Sequence, residues 1–249
     1  MRETMVIFRR ELKSCFLSPI AYVFGILFLA LLLYFATGRI LVNGMQASMQ
    51  WFFSSQALMS LPFLLLIFVP GLTMRLWAEE RKLGTIELLM TFPVRVWQPV
   101  LGKFAAAVVY LGFVMLLTLA LPLTLAAYGR VDWPPVIAAY LASLLFASSF
   151  VAVGLFWSSL TKDQIVAMLA TLVTLFVLYM LGYPTVIEGA ADWLPATGLD
   201  LMNGISPCKY FESIARGVID SRDIVYFACF CGFFLYANAL VLRRLRHKG

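Results

Sequence analysis

An all-α integral membrane protein with six transmembrane helices is the fold class this sequence predicts, and three observations carry it. Of its 249 residues, 62% are hydrophobic and only 13% charged, against about 25% charged in an ordinary soluble domain. The apolar residues fall into six runs of roughly 20, each sufficient to cross a ~30 Å hydrocarbon core. The basic residues gather at the ends of those runs rather than on one polar face. The formal net charge of +6 therefore reports membrane topology and implies no nucleic-acid partner. A soluble class is excluded, and the lipid bilayer is the first partner.

The chain opens on a segment that is not a signal peptide, because Arg2, Arg9, Arg10 and Lys13 interrupt it and no apolar core with a small-residue cleavage site follows. Met5, Phe8, Leu12, Cys15 and Phe16 share one helical face and the charges the other. That pattern predicts an interfacial helix over 2–17, lying on the membrane before the first span, with Pro19 at the corner. The spans are expected near 20–40, 57–77, 100–128, 134–159, 164–187 and 223–242. The third and fourth are long enough to tilt or to project past the membrane. Ala138, Ala142, Ser143, Ala147, Ser148 and Gly154 put small residues at helical spacing along the fourth, which suits close helix packing in lipid.

Orientation follows from the basic residues. With both termini cytoplasmic, the inner segments hold fourteen of the nineteen Lys and Arg, and the outer segments hold five. Trp77, Trp97 and Trp157 then fall at inner span ends, and Trp51, Trp133 and Trp193 at outer ends, as an interfacial aromatic belt requires. The segment 188–222 is the one long outer loop; Phe211, Ile214 and Val218 give its stretch Tyr210–Val218 an amphipathic helical pattern. It reads as an outer cap over the translocation route, and a structureless connector of that length is uncommon.

The stretch Ala78–Val94, between the second and third spans, is the most charged of the chain. Five charges, Glu79, Glu80, Arg81, Lys82 and Glu87, cannot lie in hydrocarbon, where about 2.5–3.5 kcal/mol each would be lost. Leu83, Ile86 and Met90 recur at helical spacing with Leu89 beside them, while the charges and Thr85 fill the other side. Pro93 ends the pattern. The segment is either a short amphipathic docking helix or a solvated hairpin loop.

Two absences bear on function. Away from their ends the predicted spans contain no Asp, Glu, Lys, Arg or His, so an ion-coupled carrier lacks its usual groups. The paired Glu79 and Glu80 invite comparison with intramembrane proteases, but the single histidine, His247, lies near the C-terminus. No GxSxG elbow, HExxH site or P-loop is present. Cys15, Cys208, Cys229 and Cys231 have no metal-ligand spacing. A non-catalytic chain is expected, with no metal or cofactor of its own.

The run PGLTMRLWAEERKLGTIELLMTFPVRVWQPVLGK, Pro70–Lys103, resembles the permease subunits of ABC-2-type transporters, most closely the gliding-motility-associated GldF-like branch. The late segment SPCKYFESIARGVIDSRDIVYF, Ser206–Phe227, resembles the same branch. The resemblance implies that 1–249 is a single ABC-2-type transmembrane domain with an elbow helix at 2–17. It implies a coupling helix at 79–91 that docks on a cytoplasmic ABC ATPase. The residues it assigns to that docking are Glu79, Glu80, Arg81, Leu83, Gly84, Thr85, Ile86, Glu87, Leu89 and Met90. It further implies two ATPase copies carrying the ATP and Mg²⁺, a second permease chain in a homodimer, and the inner membrane as location. An exporter is the function implied; ATP-driven pulling on a periplasmic or envelope partner is the alternative, and an intramembrane enzyme a third.

Overall fold

The computed structural model describes residues 2–43, 45–86, 95–128, 131–217 and 220–246. Among the described residues there is no strand, and the chain is a bundle of helices. They are α1 (Arg2–Leu17), α2 (Pro19–Asn43), α3 (Met45–Phe52), α4 (Leu61–Thr73), α5 (Arg75–Lys82), α6 (Trp97–Thr118), α7 (Ala120–Tyr128), α8 (Trp133–Leu160), α9 (Gln164–Met180), α10 (Pro184–Ala191), α11 (Ala196–Ile205), α12 (Pro207–Ala215) and α13 (Ser221–Arg246). Among the described residues, five stretches are long and apolar enough to cross a membrane: Ala21–Ile40, Leu61–Lys82, Trp97–Ala127, Trp133–Leu160 and Ser221–Leu245. A sixth passes only if α9 and α10, bent by 65°, are taken together. This is a multi-pass membrane protein.

The centre of the bundle is α8. Its small residues Ala138, Ala142, Ser143, Ala147 and Gly154 are buried, and it packs against α4, α6, α9, α12 and α13. α4 approaches tightly at Gly154, where an added Cβ would lie 2.1 Å from Thr73 Oγ1 and 2.7 Å from Thr73 Cβ. The serine and threonine hydroxyls along these helices turn back on their own helix: Ser143 donates to the Ala139 carbonyl, and Thr171 to that of Ala167, each at 2.7 Å. These two buried hydroxyls are thereby satisfied locally.

Three expectations change in the structure. The second span, placed near 57–77, begins at Leu61 and runs to Lys82 with a break at Met74. The turn before it, Phe53–Ser60, takes up only the first four positions, 57–60, of the expected span. The third span, expected near 100–128, begins at Trp97 and is interrupted at Leu119 between α6 and α7; Pro122, in the first turn of α7, lacks the N–H that would continue the ladder. The fifth, expected near 164–187, has its long helix end at Met180. Tyr183 is extended (φ −80°, ψ 127°) ahead of Pro184, as a residue before proline prefers, and Gly182 has Ser206 so close that a Cβ would meet its Oγ at 2.2 Å.

The segment expected as an outer cap, 188–222, holds α10, α11 and α12. Phe211 and Ile214 of α12 are fully buried, and the Phe211 ring lies 5.1 Å from that of Phe146. Phe146 lies 13 residues from Trp133 and 14 from Leu160, about 20 Å from either end of α8. Thus α12 dips into the bundle beside the middle of α8 instead of lying over its end; burying its apolar face is the physical reason. Val218 lies outside the described residues.

Candidate functional site

At one end of the bundle α1, the end of α5 and the start of α6 converge on four charged side chains. The Lys103 ammonium, from the second turn of α6, lies 2.9 Å from Glu80 Oε1 and 3.1 Å from Glu11 Oε2. Arg10 lies 2.8 Å from Glu11 Oε1 and 3.1 Å from Glu80 Oε1. The side chains of Lys103, Glu11 and Glu80 are only 2%, 9% and 17% exposed, so these pairs are weakly screened by solvent. Lys103 also sits 4.8 Å from the ring centroid of Trp77, a cation–π contact. Two cations and two anions balance, and three separate helices are tied together.

Local sequence puts each group there. Glu11 shares the inward side of α1 with Cys15 and Phe16, whose ring packs edge-on against Tyr110 at 5.4 Å and Phe113 at 5.2 Å. Gly102 lets α1 approach α6, since a Cβ there would meet Ile7 Cγ2 at 2.9 Å. Burial pushes the Glu11 carboxyl up, but the Lys103 and Arg10 charges and hydrogen bonds outweigh it and hold the group below its ordinary range. A carboxylate lowered in this way stabilises the fold fully above the ordinary glutamate value and stops doing so as pH falls through the lowered one. Docking of α1 on α6 is therefore expected to persist through neutral pH and to loosen only below the ordinary glutamate range. Spin-label distances between α1 and α6 along a pH series check this; Glu11→Gln should abolish the transition, and an identical transition in that variant would refute the assignment.

The second link runs from α5 to α8. Just past the Met74 break, the backbone N–H groups of Trp77 and Ala78, in the first turn of α5, donate to Ser158 Oγ at 3.0 and 3.1 Å. The same hydroxyl donates to the Met74 carbonyl at 2.9 Å. Ser158 thus caps a helix start from a neighbouring helix. Arg81 donates to the Ser159 carbonyl, one of the terminal carbonyls of α8 that has no partner within its own helix.

The ten residues expected to form the docking element are divided by this geometry. Glu79, Glu80 and Arg81 lie on the last turn of α5, a continuation of α4, and not on a separate helix spanning 79–91. The helix stops at Leu83, and Gly84 takes the left-handed conformation (φ +73°) that a chain reversal needs and that other residues adopt only with strain. Glu79 and Thr85 are exposed, and Leu83 is 69% exposed. Ile86 is 7% exposed and packed into the core, so it does not share a free face with Leu83. Glu87, Leu89 and Met90 lie outside the described residues. Trp77, expected in an interfacial belt, is fully buried beneath Lys103. Glu11, Lys103 and Ser158 were not among the expected residues; a lysine just inside an apolar run, at its fourth residue by the expected boundary, was the available signal.

At the other end of the bundle the Phe53–Ser60 turn meets α9 and α12. The Ser55 hydroxyl donates to Glu212 at 2.5 Å, and the Gln56 amide to the same carboxylate at 3.3 Å. Tyr179 donates to the Ser55 carbonyl, and Tyr183 to that of Gln56 at 3.2 Å. A cavity of about 620 Å³ opens beside this network, lined by Phe53, Gln56, Asp132, Val136, Glu212 and Arg216. Among the described residues no group of three or more His, Cys, Asp or Glu is placed to hold a metal ion.

A match to the ABC-2 family transporter proteins runs over residues 53–235. The chain belongs to the ABC-2 transporter family. Two relatives, each a "Probable multidrug ABC transporter permease YbhR", come from Escherichia coli strain K12 and Escherichia coli O157:H7 and are 28% identical over 153 residues. That stretch covers 60% of this ABC-2 permease and 40% of either relative, so the likeness spans well under half of their length. The family match takes in Glu80, Lys103 and Ser158 but starts after α1. Arg10 and Glu11, the remaining half of the ion cluster, belong to the segment before it.

Proposed function

We propose that this ABC-2 permease is the membrane subunit of an ATP-driven exporter in the cytoplasmic (inner) membrane. It acts as a pair of permease chains with two copies of a separate ABC ATPase, which hold the ATP and Mg²⁺. The ion-cluster end, including both termini, faces the cytoplasm, as the division of fourteen basic residues against five supports. The observation that carries the reading is that the charged end of α5 is wired into three other helices at once. Glu80 pairs with Lys103 of α6 and Arg10 of α1, and Arg81 and the Trp77–Ala78 backbone bond to the end of α8.

In this reading the hairpin from Glu79 to Thr91 is the coupling element, α1 is the elbow helix, and the pair of permeases forms the route between them. ATP-driven closure of the ATPases pushes on exposed Leu83 and Glu79. A push there cannot stay local, because breaking the Glu80 contacts strands the buried Lys103 charge and Arg81 ties the same turn to α8; it displaces α4–α5, α6 and α8 together. The likeness of Pro70–Lys103 to the GldF-like branch supports placing the chain there, and it keeps force transmission to an envelope partner as the competing output of the same coupling.

The test is co-purification in mild detergent. The tagged chain should bring down a P-loop ATPase in equal amount, and Leu83→Asp with Glu79→Arg, both at exposed positions, should release it while the permease stays folded. A well-folded double variant that retains both the ATPase and full ATP-dependent cargo movement would sink the coupling assignment. ATPase activity with no cargo flux into vesicles, but with ATP-dependent grip on an envelope protein, would select the mechanical output.

A further inference from the structure

Between α12 and the start of α13 lies a second cavity, of about 520 Å³, that the transport reading does not use. Its lining brings together Lys209 from α12 and Asp220, Arg222 and Asp223 from the start of α13, above Tyr226 and Cys229. Asp220 caps the helix, its Oδ1 accepting the Arg222 N–H at 3.1 Å. Asp223 is different: only 6% of it is exposed, and its Oδ2 has no hydrogen-bond partner among the described residues. A carboxylate oxygen held away from water without a donor is costly, so a donor from outside the chain is called for. The other three charged groups are exposed.

Two features narrow what that donor is. The rim carries two cations and two anions, a neutral pattern that complements a zwitterion rather than a simple ion. Below it the cavity turns apolar: Cys229 lies six residues, about 9 Å, further along α13, and the wall is a stacked pair, Tyr210 on Tyr226, with ring centroids 3.9 Å apart. A charged rim over an aromatic floor at the end of a membrane span matches a phospholipid, headgroup above and glycerol below.

We propose that this cavity is a binding site for a phospholipid with an ethanolamine headgroup. Its primary ammonium donates to Asp223 and Asp220, and its phosphate accepts from Lys209 and Arg222. A choline headgroup has no N–H to give Asp223, and a glycerol headgroup brings no cation. On the orientation proposed above the lipid belongs to the outer leaflet, but the binding itself does not depend on sidedness.

Native mass spectrometry of the delipidated full-length chain, titrated with phosphatidylethanolamine, phosphatidylcholine and phosphatidylglycerol of matched acyl chains, tests it. Phosphatidylethanolamine should fill one saturable site about tenfold or more tighter than the other two. Asp223→Asn should remove that preference and leave phosphatidylcholine unchanged; Lys209→Gln should weaken phosphatidylethanolamine about tenfold. Equal affinity for the three lipids would overturn the proposal. So would a phosphatidylethanolamine preference that survives Asp223→Asn, or, where that variant fails to fold, one that is indifferent to Lys209→Gln. Soluble phosphoethanolamine competing as strongly as the lipid would show that the apolar floor plays no part, and would overturn the lipid assignment.

Discussion

Replacing Lys103 with alanine is expected to destabilise the protein by about 3–5 kcal/mol, the usual cost of removing one partner from a buried ion pair. Its 2%-exposed ammonium faces both Glu11 and Glu80, and deletion leaves two largely buried carboxylates with only Arg10 between them. Arg10 is 61% exposed and cannot take over the buried position. Glu80 Oε2 is already buried without a partner among the described residues, so the site has no spare donor. The variant should unfold at a clearly lower temperature in detergent and, on the function proposed above, lose coupling to the ATPase. Lys103→Met together with Glu11→Gln and Glu80→Gln should recover most of the stability, since a neutral set of similar volume carries no stranded charge, yet should not recover coupling. Lys103→Arg should recover little, because a planar guanidinium does not fit the slot of a compact ammonium against Trp77. A Lys103→Ala protein as stable as its parent would refute the cluster's structural role.

The contrast between what was legible and what was not follows from the range of each signal. Hydropathy is local, so the helical class, the multi-pass character and the extent of α1 over Arg2–Leu17 could be read directly. The ion cluster is not local: Arg10 and Glu80 are 70 residues apart, and Lys103 and Glu80 are 23 apart. Nothing in either helix alone distinguishes Glu80, which is paired, from Glu79 beside it, which is exposed. The same holds for Trp77, whose place near a span end suits an interfacial belt, but whose ring is enclosed because Lys103 arrives from another helix. The bend after α9 was written in Gly182 and Pro184, a punctuation that the continuous apolar run obscured. The descent of α12 beside α8 was half legible: the Phe211 and Ile214 face was visible in the sequence, whereas the surface it covers, at Phe146, belongs to a helix some 65 residues earlier.

The second large effect is expected at Gly154. Gly154→Ala introduces a Cβ that would sit 2.1 Å from Thr73 Oγ1 and 2.7 Å from Thr73 Cβ, both closer than atoms can approach. Rotating Thr73 does not relieve the clash, because the conflict reaches its Cβ, and its hydroxyl is already engaged with the Val69 carbonyl at 2.9 Å. The helices must separate instead. Overpacking of this kind costs about 1–3 kcal/mol, occasionally more, and the upper end is expected where backbone-fixed atoms collide. Ser158, one turn further along α8, caps the start of α5, so moving α8 from α4 also withdraws an acceptor from two buried N–H groups. Gly38 supplies the control: it is exposed in α2 with nothing within 4 Å of an added Cβ. Gly38→Ala should therefore be neutral or stabilising by about 0.5–1 kcal/mol, as alanine for glycine within a helix usually is. Thr73→Gly paired with Gly154→Ala moves the side chain across the contact and should restore the approach, less roughly 0.3–0.5 kcal/mol of helix propensity in α4. Thermal unfolding of the four proteins decides the matter: a Gly154→Ala protein as stable as Gly38→Ala would mean that α4 and α8 do not meet at Thr73. The ordering expected here, with the double variant between parent and Gly154→Ala, is the signature of one steric contact that holds the span carrying the charged hairpin against the central helix.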